Sequence, residues 1–563
     1  YETIGYKREV ITKKELSMKI KFCGAATGVT GSCHLLEGEG HKILLDCGQF
    51  QGGKKQEEMN REEFPFSPEE IECVVLSHAH IDHCGRLPLL VKRGFKGRII
   101  CTDATADLLD VMLKDSGYIH EKEAEWQNRK NERAGRPLIE PLYTFNDAVD
   151  TLKFVEPVLY DQLVDLNEDM KVVFNDAGHI LGSAIIELFV SENDMTTKLV
   201  FSGDLGVKDR PILRDPVIIK KADYVIMETT YGNRVHPKSG SSIEALMEIV
   251  EKTVKRGGTV VIPSFAVGRT QELIYELNRY YTENNKYSHI LKGLKVYVDS
   301  PMATTATEVF RKNAQVFDDE TKEYILKGEN PLDFEGLEFT RSTEDSKLLN
   351  ENREPKIIIS ASGMCEAGRI RHHLKHNLWD SRSSIVFVGY QAEGTLGRTL
   401  LEGVPEVRLF GEDVKVSAEI HNLEGFSGHA DKNGLLSWLS GFQKIPKQVF
   451  LVHGETESKE AFAATVREKL NISPMVINGT SEFEVESGSM LTMEETIKDA
   501  LDEDAIKDLK TRITKINTAL EEVLKNSSIA VGSEIGQDKV TDIHNSVINL
   551  EKDVVQLSAA LVK

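Results

Sequence analysis

The 563-residue sequence predicts an α/β protein, and three observations carry that expectation. Residues 18–208 are short β-branched runs separated by glycine turns. Residues 209–393 alternate strand-like with helix-like runs, which implies βαβ units around a mainly parallel sheet. Residues 491–563 carry apolar residues at heptad spacing. The bulk composition, 40% hydrophobic and 28% charged, is that of an ordinary globular protein. No apolar run approaches the roughly 18 residues of a membrane span, so no membrane association is expected. Seven cysteines without a CxxC pair suit neither a disulfide framework nor a cysteine-rich zinc site. They point to a reducing, cytoplasmic setting. A net charge of −21 argues against a phosphate-polymer binder, but bound divalent cations add charge that a residue count omits.

Taken in order, residues 1–17 are polar and mixed in charge, and read as an extension ahead of "MKIKFCG", which starts at Met18. In 18–208 the runs "HKILLDCG", "ECVVLSHAH", "KVVFNDAG" and "TKLVFSGDLG" each end in a His or Asp cluster. Open α/β sheets present ligand-binding loops at that carboxyl end. In 209–393, "GGTVVIPSF", "KVYVDSP" and "KIIISASG" each precede a helical run. Sheet-like material resumes over 394–490 with "HNLEGFSGHAD" and "KQVFLVHGE", so one domain is interrupted by a second and then completed. In the tail, Ile506, Leu509, Ile513, Ile516, Leu520 and Val523, then Val540 to Leu561, alternate spacings of three and four. That pattern predicts a helical hairpin or short coiled coil, either lying on the body or joining two copies.

The stretch "SHAHIDH" concentrates His78, His80, Asp82 and His83 in six positions of a chain with 16 histidines. Zinc takes imidazole and carboxylate donors. His78 and His80, two apart, project to one side of an extended backbone, while Asp82 and His83 follow a turn and face a second ion. Asp46, His179, Asp204 and His429 end other apolar runs beside glycine. Each alone is an ordinary turn residue, and their recurrence is what carries weight.

"HAHIDH" resembles the HxHxDH motif of the metallo-β-lactamase superfamily, with Asp46, His179 and Asp204 in the order of its other metal motifs. "ETTYGNR", "PSFAVGRTQEL", "SASGMCEAGR", "VGYQAEGTLGR" and "FSGHAD" resemble its β-CASP branch of nucleic-acid nucleases. The resemblance covers roughly residues 18–490. It implies an αββα metallo-β-lactamase sandwich (18–208 and 394–490) interrupted by a β-CASP domain (209–393). It further implies two Zn2+ ions, with Mn2+ as the alternative. His78, His80 and His179 hold one ion; Asp82, His83 and His429 hold the other; Asp204 bridges them and Asp46 orients the site. Asp82 belongs to the catalytic group, and His376, supported by Glu228, is the expected proton donor, with His372 and His373 as competitors. Ser362, Gly363, Arg369 and Arg398 are expected to grip phosphates, and His453 to line the cleft or support the site.

The implied activity is a zinc-dependent ribonuclease acting on single-stranded RNA, endonucleolytic rather than 5′-exonucleolytic, leaving 5′-phosphate and 3′-hydroxyl ends. A homodimer is the expected assembly. The DNA-cutting members generally lack the histidine of "FSGHAD", so His429 favours RNA over a DNA nuclease of the same build. A hydrolase of small thioesters or lactams would not need the insertion. A non-catalytic scaffold would have lost ligands, and all seven are present.

Overall fold

A computed structural model describes residues 18–486 apart from 193–194, 237–239, 284–285, 393 and 424, together with scattered helical residues between 511 and 550. The expected extension at 1–17 and almost all of the heptad tail lie outside the described residues.

Two seven-stranded sheets face each other. The first has the order Ser481–Val485, Met18–Phe22, His34–Gly38, His41–Leu45, Cys73–Val75, Arg98–Thr102 and Val155–Val158. The second has the order Met475–Val476, Gln448–Val452, Tyr224–Glu228, Met195–Phe201, Ala184–Glu192, Met170–Asp176 and Val164–Asp165. Their inner faces meet in one apolar core, with Phe22, Ile43, Val75 and Ile100 against Phe174, Leu188, Phe201, Ile226 and Phe450. Each such side chain fully withdrawn from water contributes about 1.5–3 kcal/mol. The outer face of the second sheet is covered by helices Lys432–Leu439 and Thr456–Leu470 through Leu435, Trp438, Phe462 and Val466.

A 31-residue helix, Asp103–Arg133, interrupts the run of short strands expected over 18–208. Thr102 caps it by accepting from the Thr105 N–H at 3.2 Å. Ala104, Leu108, Leu109, Met112 and Leu113 give it a buried stripe at helical spacing. The stripe thins out in the charged second half, which is why the segment does not stand out as one periodic run.

The third sheet is six-stranded and wholly parallel, in the order Leu337–Phe339, Lys295–Val298, Lys356–Ser360, Val260–Pro263, Ser384–Phe387 and Glu419–Asn422. Helices Arg269–Thr282, Pro301–Lys312 and Ile370–Asn377 follow its strands as the alternation predicts. The boundaries differ from the sequence expectation at both ends. Strand Tyr224–Glu228 pairs in parallel with Met195–Phe201 inside the sandwich, and strand Glu419–Asn422 completes the inserted sheet. All seven cysteines are free thiols, and among the described residues no helix is long and apolar enough to cross a membrane.

Candidate metal centre

Parallel register assembles the centre. In the first sheet Leu45 pairs with Val75, so Asp46 and the loop from Ser77 to His83 leave the same edge. In the second, Phe201 pairs with Ile226 and Glu228 with Val452, which places Asp204, Glu228 and His453 side by side beyond their strands. His179 lies in the connection between Met170–Asp176 and Ala184–Glu192 at that edge. Two close approaches need glycine. A Cβ on Gly48 would fall 1.6 Å from the Asp82 carbonyl oxygen, and one on Gly206 1.8 Å from that of Gly178.

The donor atoms here form three groups, each within 4.8 Å: His78, His80, His179 and Asp204; Asp204, Glu228 and His429, which shares Asp204 with the first; and Asp82, His83 and His453. His80 Nδ1 lies 3.2 Å from His78 Nε2 and 3.1 Å from His179 Nε2. His83 Nε2 lies 3.1 Å from His453 Nε2 and 3.2 Å from Asp204 Oδ2. The outer nitrogens are already committed. His83 Nδ1 faces Asp46 Oδ2 at 2.7 Å, and His179 Nδ1 faces the Gly428 carbonyl at 3.1 Å. Asp46 also accepts from the Ser32 hydroxyl and from the Ser77 N–H and hydroxyl, so its carboxylate is fixed.

A neutral imidazole has one donor and one acceptor. Rings anchored through the outer nitrogen therefore aim bare lone pairs at one another. Asp204 Oδ1 is buried without a hydrogen-bond partner. Converging lone pairs and an orphaned carboxylate oxygen are the donor set of a divalent metal ion, and the residues present fit one.

Electrostatics separate the histidines. Burial pushes His78 and His179 well below the usual imidazole range and His80 to about 4, so these rings are neutral, as ligands must be. Burial opposes a charge on His429 too, yet Glu228 and Asp204 hold it up to about 10. Its Nδ1 lies 3.3 Å from Glu228 Oε1, and its backbone carbonyl accepts from His236 Nε2 at 3.1 Å. Glu228 is fully buried, accepting from the Leu205 and Thr230 N–H groups. Burial opposes a charge on His83 as well, and Asp204 and Asp46 hold it well above the usual imidazole range, so the buried carboxylates favour a proton on both rings.

All seven expected ligands fall within these groups: His429 shares one with Asp204 and Glu228, and His453, expected to line the cleft or support the site, is grouped with Asp82 and His83. His376 is not brought to the centre. It is exposed on helix Ile370–Asn377, and the groups that influence it are Lys375, His373, His372 and Arg353. Arg369 donates to Asp299 at 2.6 Å and to the Thr340 and Arg341 carbonyls. Ser362 and Gly363 form the turn after Lys356–Ser360, and Gln391 Nε2 donates to the Gly363 carbonyl. Arg398 pairs with Glu402 and lines a cavity of about 160 Å3 with Tyr231, Arg234, Tyr390 and Ser427. Arg234 lies 4.1 Å over the Tyr231 ring, whose edge meets His429 at 5.9 Å. Sequence reading passed over Tyr231 and His236. The signal available for His453 was its place after the apolar run "KQVFLV", the same signal that singled out Asp46 and Asp204.

Fold and centre together define a metal-dependent hydrolase built on a four-layer sandwich. Residues 26–264 match the metallo-beta-lactamase superfamily, 270–400 the Beta-Casp domain, and 413–476 the Zn-dependent metallo-hydrolase RNA specificity domain. Ribonuclease TTHA0252 of Thermus thermophilus is 40% identical over 440 residues, 78% of this chain and 94% of that protein. Proteins named transcription termination factor FttA are similar as well. That of Methanocaldococcus jannaschii is 31% identical over 82% of this chain and 70% of its own length, and that of Methanosarcina mazei is 32% identical over 84% and 72%. The chain belongs to the β-CASP family of metallo-β-lactamase-fold hydrolases.

Proposed function

We propose that this protein is a zinc-dependent ribonuclease that cuts single-stranded RNA internally and leaves 5′-phosphate and 3′-hydroxyl ends. One observation carries the mechanism: Asp204 belongs both to the group of His78, His80 and His179 and to that of Glu228 and His429, and His83 of the Asp82, His83 and His453 group lies 3.2 Å from its Oδ2. The RNA assignment draws on the relative named a ribonuclease and on the match to the RNA specificity domain over 413–476. His78, His80 and His179 would hold one divalent ion, Asp82, His83 and His453 a second, and Asp204 would serve both. When bound, such ions activate water and offset the charge that grows on phosphate.

The protein's own residues do the rest. Asp46 fixes the His83 tautomer so that Nε2 faces the centre, and the Gly428 carbonyl does the same for His179. Glu228 keeps His429 protonated through neutral pH, and His429 passes that proton to the leaving 3′-oxygen. General-acid assistance of this kind contributes about 10²–10⁴ in rate. Beyond His429 the Tyr231, Arg234 and Tyr390 cavity offers rings and a guanidinium to the adjoining nucleotide. Pairing of two copies through the heptads after residue 491 is part of the same proposal.

The test is incubation of the zinc-loaded protein with 5′-labelled and internally labelled single-stranded RNA and DNA. Internal RNA cuts that vanish with chelator and with Asp82→Ala are expected. Release of mononucleotides from the 5′ end alone would overturn the endonuclease reading, and DNA cut in preference to RNA would overturn the substrate.

A further inference from the structure

We propose that Cys23 and Cys33 are a peroxide-sensitive thiol pair whose disulfide closes the neck of the loop that supports the metal centre. The antiparallel ladder between Met18–Phe22 and His34–Gly38 ends on the pair Phe22 and His34. The next residues outward, Cys23 and Cys33, therefore stand opposite each other, and the Cys23 N–H donates to the Cys33 carbonyl at 2.9 Å. The Phe22 and His34 rings meet inside the core at 5.3 Å, so strand alternation sends both cysteines to the other face. There Cys23 Sγ donates to the Lys21 carbonyl at 3.5 Å, and each thiol shifts the titration of the other, Cys23 upward and Cys33 downward. A hydrogen-bonded cross-strand pair sets its Cα atoms about 5.5 Å apart. That lies within the span of about 4.4–6.8 Å that a disulfide bridges. Of the seven cysteines Cys23 alone is not fully buried, which gives a small oxidant its approach.

The loop between these cysteines is what makes the pair consequential. The Ser32 N–H donates to the Asp82 carbonyl at 2.8 Å, and its hydroxyl to Asp46 Oδ2 at 2.9 Å. The Ala25 carbonyl accepts from the His453 N–H at 2.8 Å. The two ends of the loop thus hold the backbones of Asp82 and His453 and the carboxylate that orients His83. At its neck a Cβ on Gly24 would fall 1.8 Å from the Gly31 carbonyl oxygen, so there is no slack to absorb a shift.

In the reaction, hydrogen peroxide converts one thiol to a sulfenic acid with release of water. The sulfur of the other thiol then displaces hydroxide, which leaves as a second water with that thiol's proton. Two thiols and one peroxide give a disulfide and two waters, and the sulfur pair loses two electrons. A dithiol reductant reverses the step.

The test uses the zinc-loaded protein, exposed to hydrogen peroxide, alkylated and digested without reductant for mass spectrometry. The expected results are a Cys23–Cys33 linked peptide and a several-fold change in the rate at which a chelator removes metal, both reversed by dithiothreitol. Cys23→Ser and Cys23→Ala should bind metal like the parent before treatment and lose both responses. Recovery of Cys23 and Cys33 as alkylated thiols, or a link from Cys33 to Cys47 instead, overturns the pair. A Cys23–Cys33 link that leaves metal release unchanged overturns its connection to the centre.

Discussion

Two stretches of this chain each place three histidines close together, and only one of them builds a site. "HAHIDH" carries His78, His80 and His83; "RHHLKH" carries His372, His373 and His376. The first follows a strand and turns once, so its rings converge with nitrogens 3.1–3.2 Å from their neighbours. The second lies on helix Ile370–Asn377, where successive residues turn by about 100°. His372 stacks on Phe410 at 4.3 Å and His376, four residues on, stays exposed on that side. His373, one step round, enters the core and meets Asp299 at 2.6 Å. Density of histidine in sequence does not make a metal site; the backbone must aim the rings at one point.

The largest effect expected from this contrast is catalytic. His429→Ala should lower RNA cleavage by about 10²–10⁴, the usual worth of a general acid, while His376→Ala leaves kcat unchanged. The reverse result would return the acid role to the helix. The pH profile sharpens the same point. The protonated form of His429 is the donor, so the rate should hold above neutral pH and fall as pH rises through a limb no later than about 10. Bound cations draw that limb lower, and Glu228→Gln, which removes the nearest anion, should lower it further. An alkaline limb indifferent to Glu228 would detach the two residues.

The second expected effect is on stability and belongs to the helix. Burial disfavours the Asp299 carboxylate, but hydrogen bonds from His373, Ser346 and Thr340 hold it well below the usual carboxylate range. A depressed carboxyl contributes its full stability above its unfolded value of about 4, and that contribution begins to fall there and is lost progressively as pH drops through the lower folded-state value. Asp299→Asn should therefore cost about 3–5 kcal/mol, as removal of one buried charged partner does. Thermal melts at pH 7 and pH 3.5 should show the gap between parent and variant closing in acid. Equal gaps at both would mean that the charge of Asp299 contributes nothing.

A smaller effect lies behind the loop. Asp46→Asn should weaken metal binding by about 10–100-fold, through the lost hold on His83. Competition with a chromophoric chelator reads it directly, and unchanged affinity would make Asp46 a bystander.

The sequence carried much of this, in unequal parts. Strands that end in His or Asp can be read off an apolar run and its terminus, which is how Asp46, His78, Asp204 and His179 were legible. The three strand–helix pairs of the insertion were legible for the same reason. The proposed partition of roles between His429 and His453 was not, because both follow strand-like runs. What separates them is which neighbour the fold supplies: Glu228 for His429, His83 and Asp82 for His453. The ion pair of Arg369 was not legible either, because its partner Asp299 lies 70 residues away in the chain. The helix Asp103–Arg133 was missed because its buried stripe runs out halfway.

The central claim is that His453 holds metal and His429 moves a proton. Metal content by mass spectrometry alongside cleavage rate, for His453→Ala and His429→Ala, tests it most directly. The account predicts that His453→Ala retains less metal than the parent and loses cleavage, while His429→Ala retains the full complement and still loses cleavage. Full metal in His453→Ala with depletion in His429→Ala would contradict it.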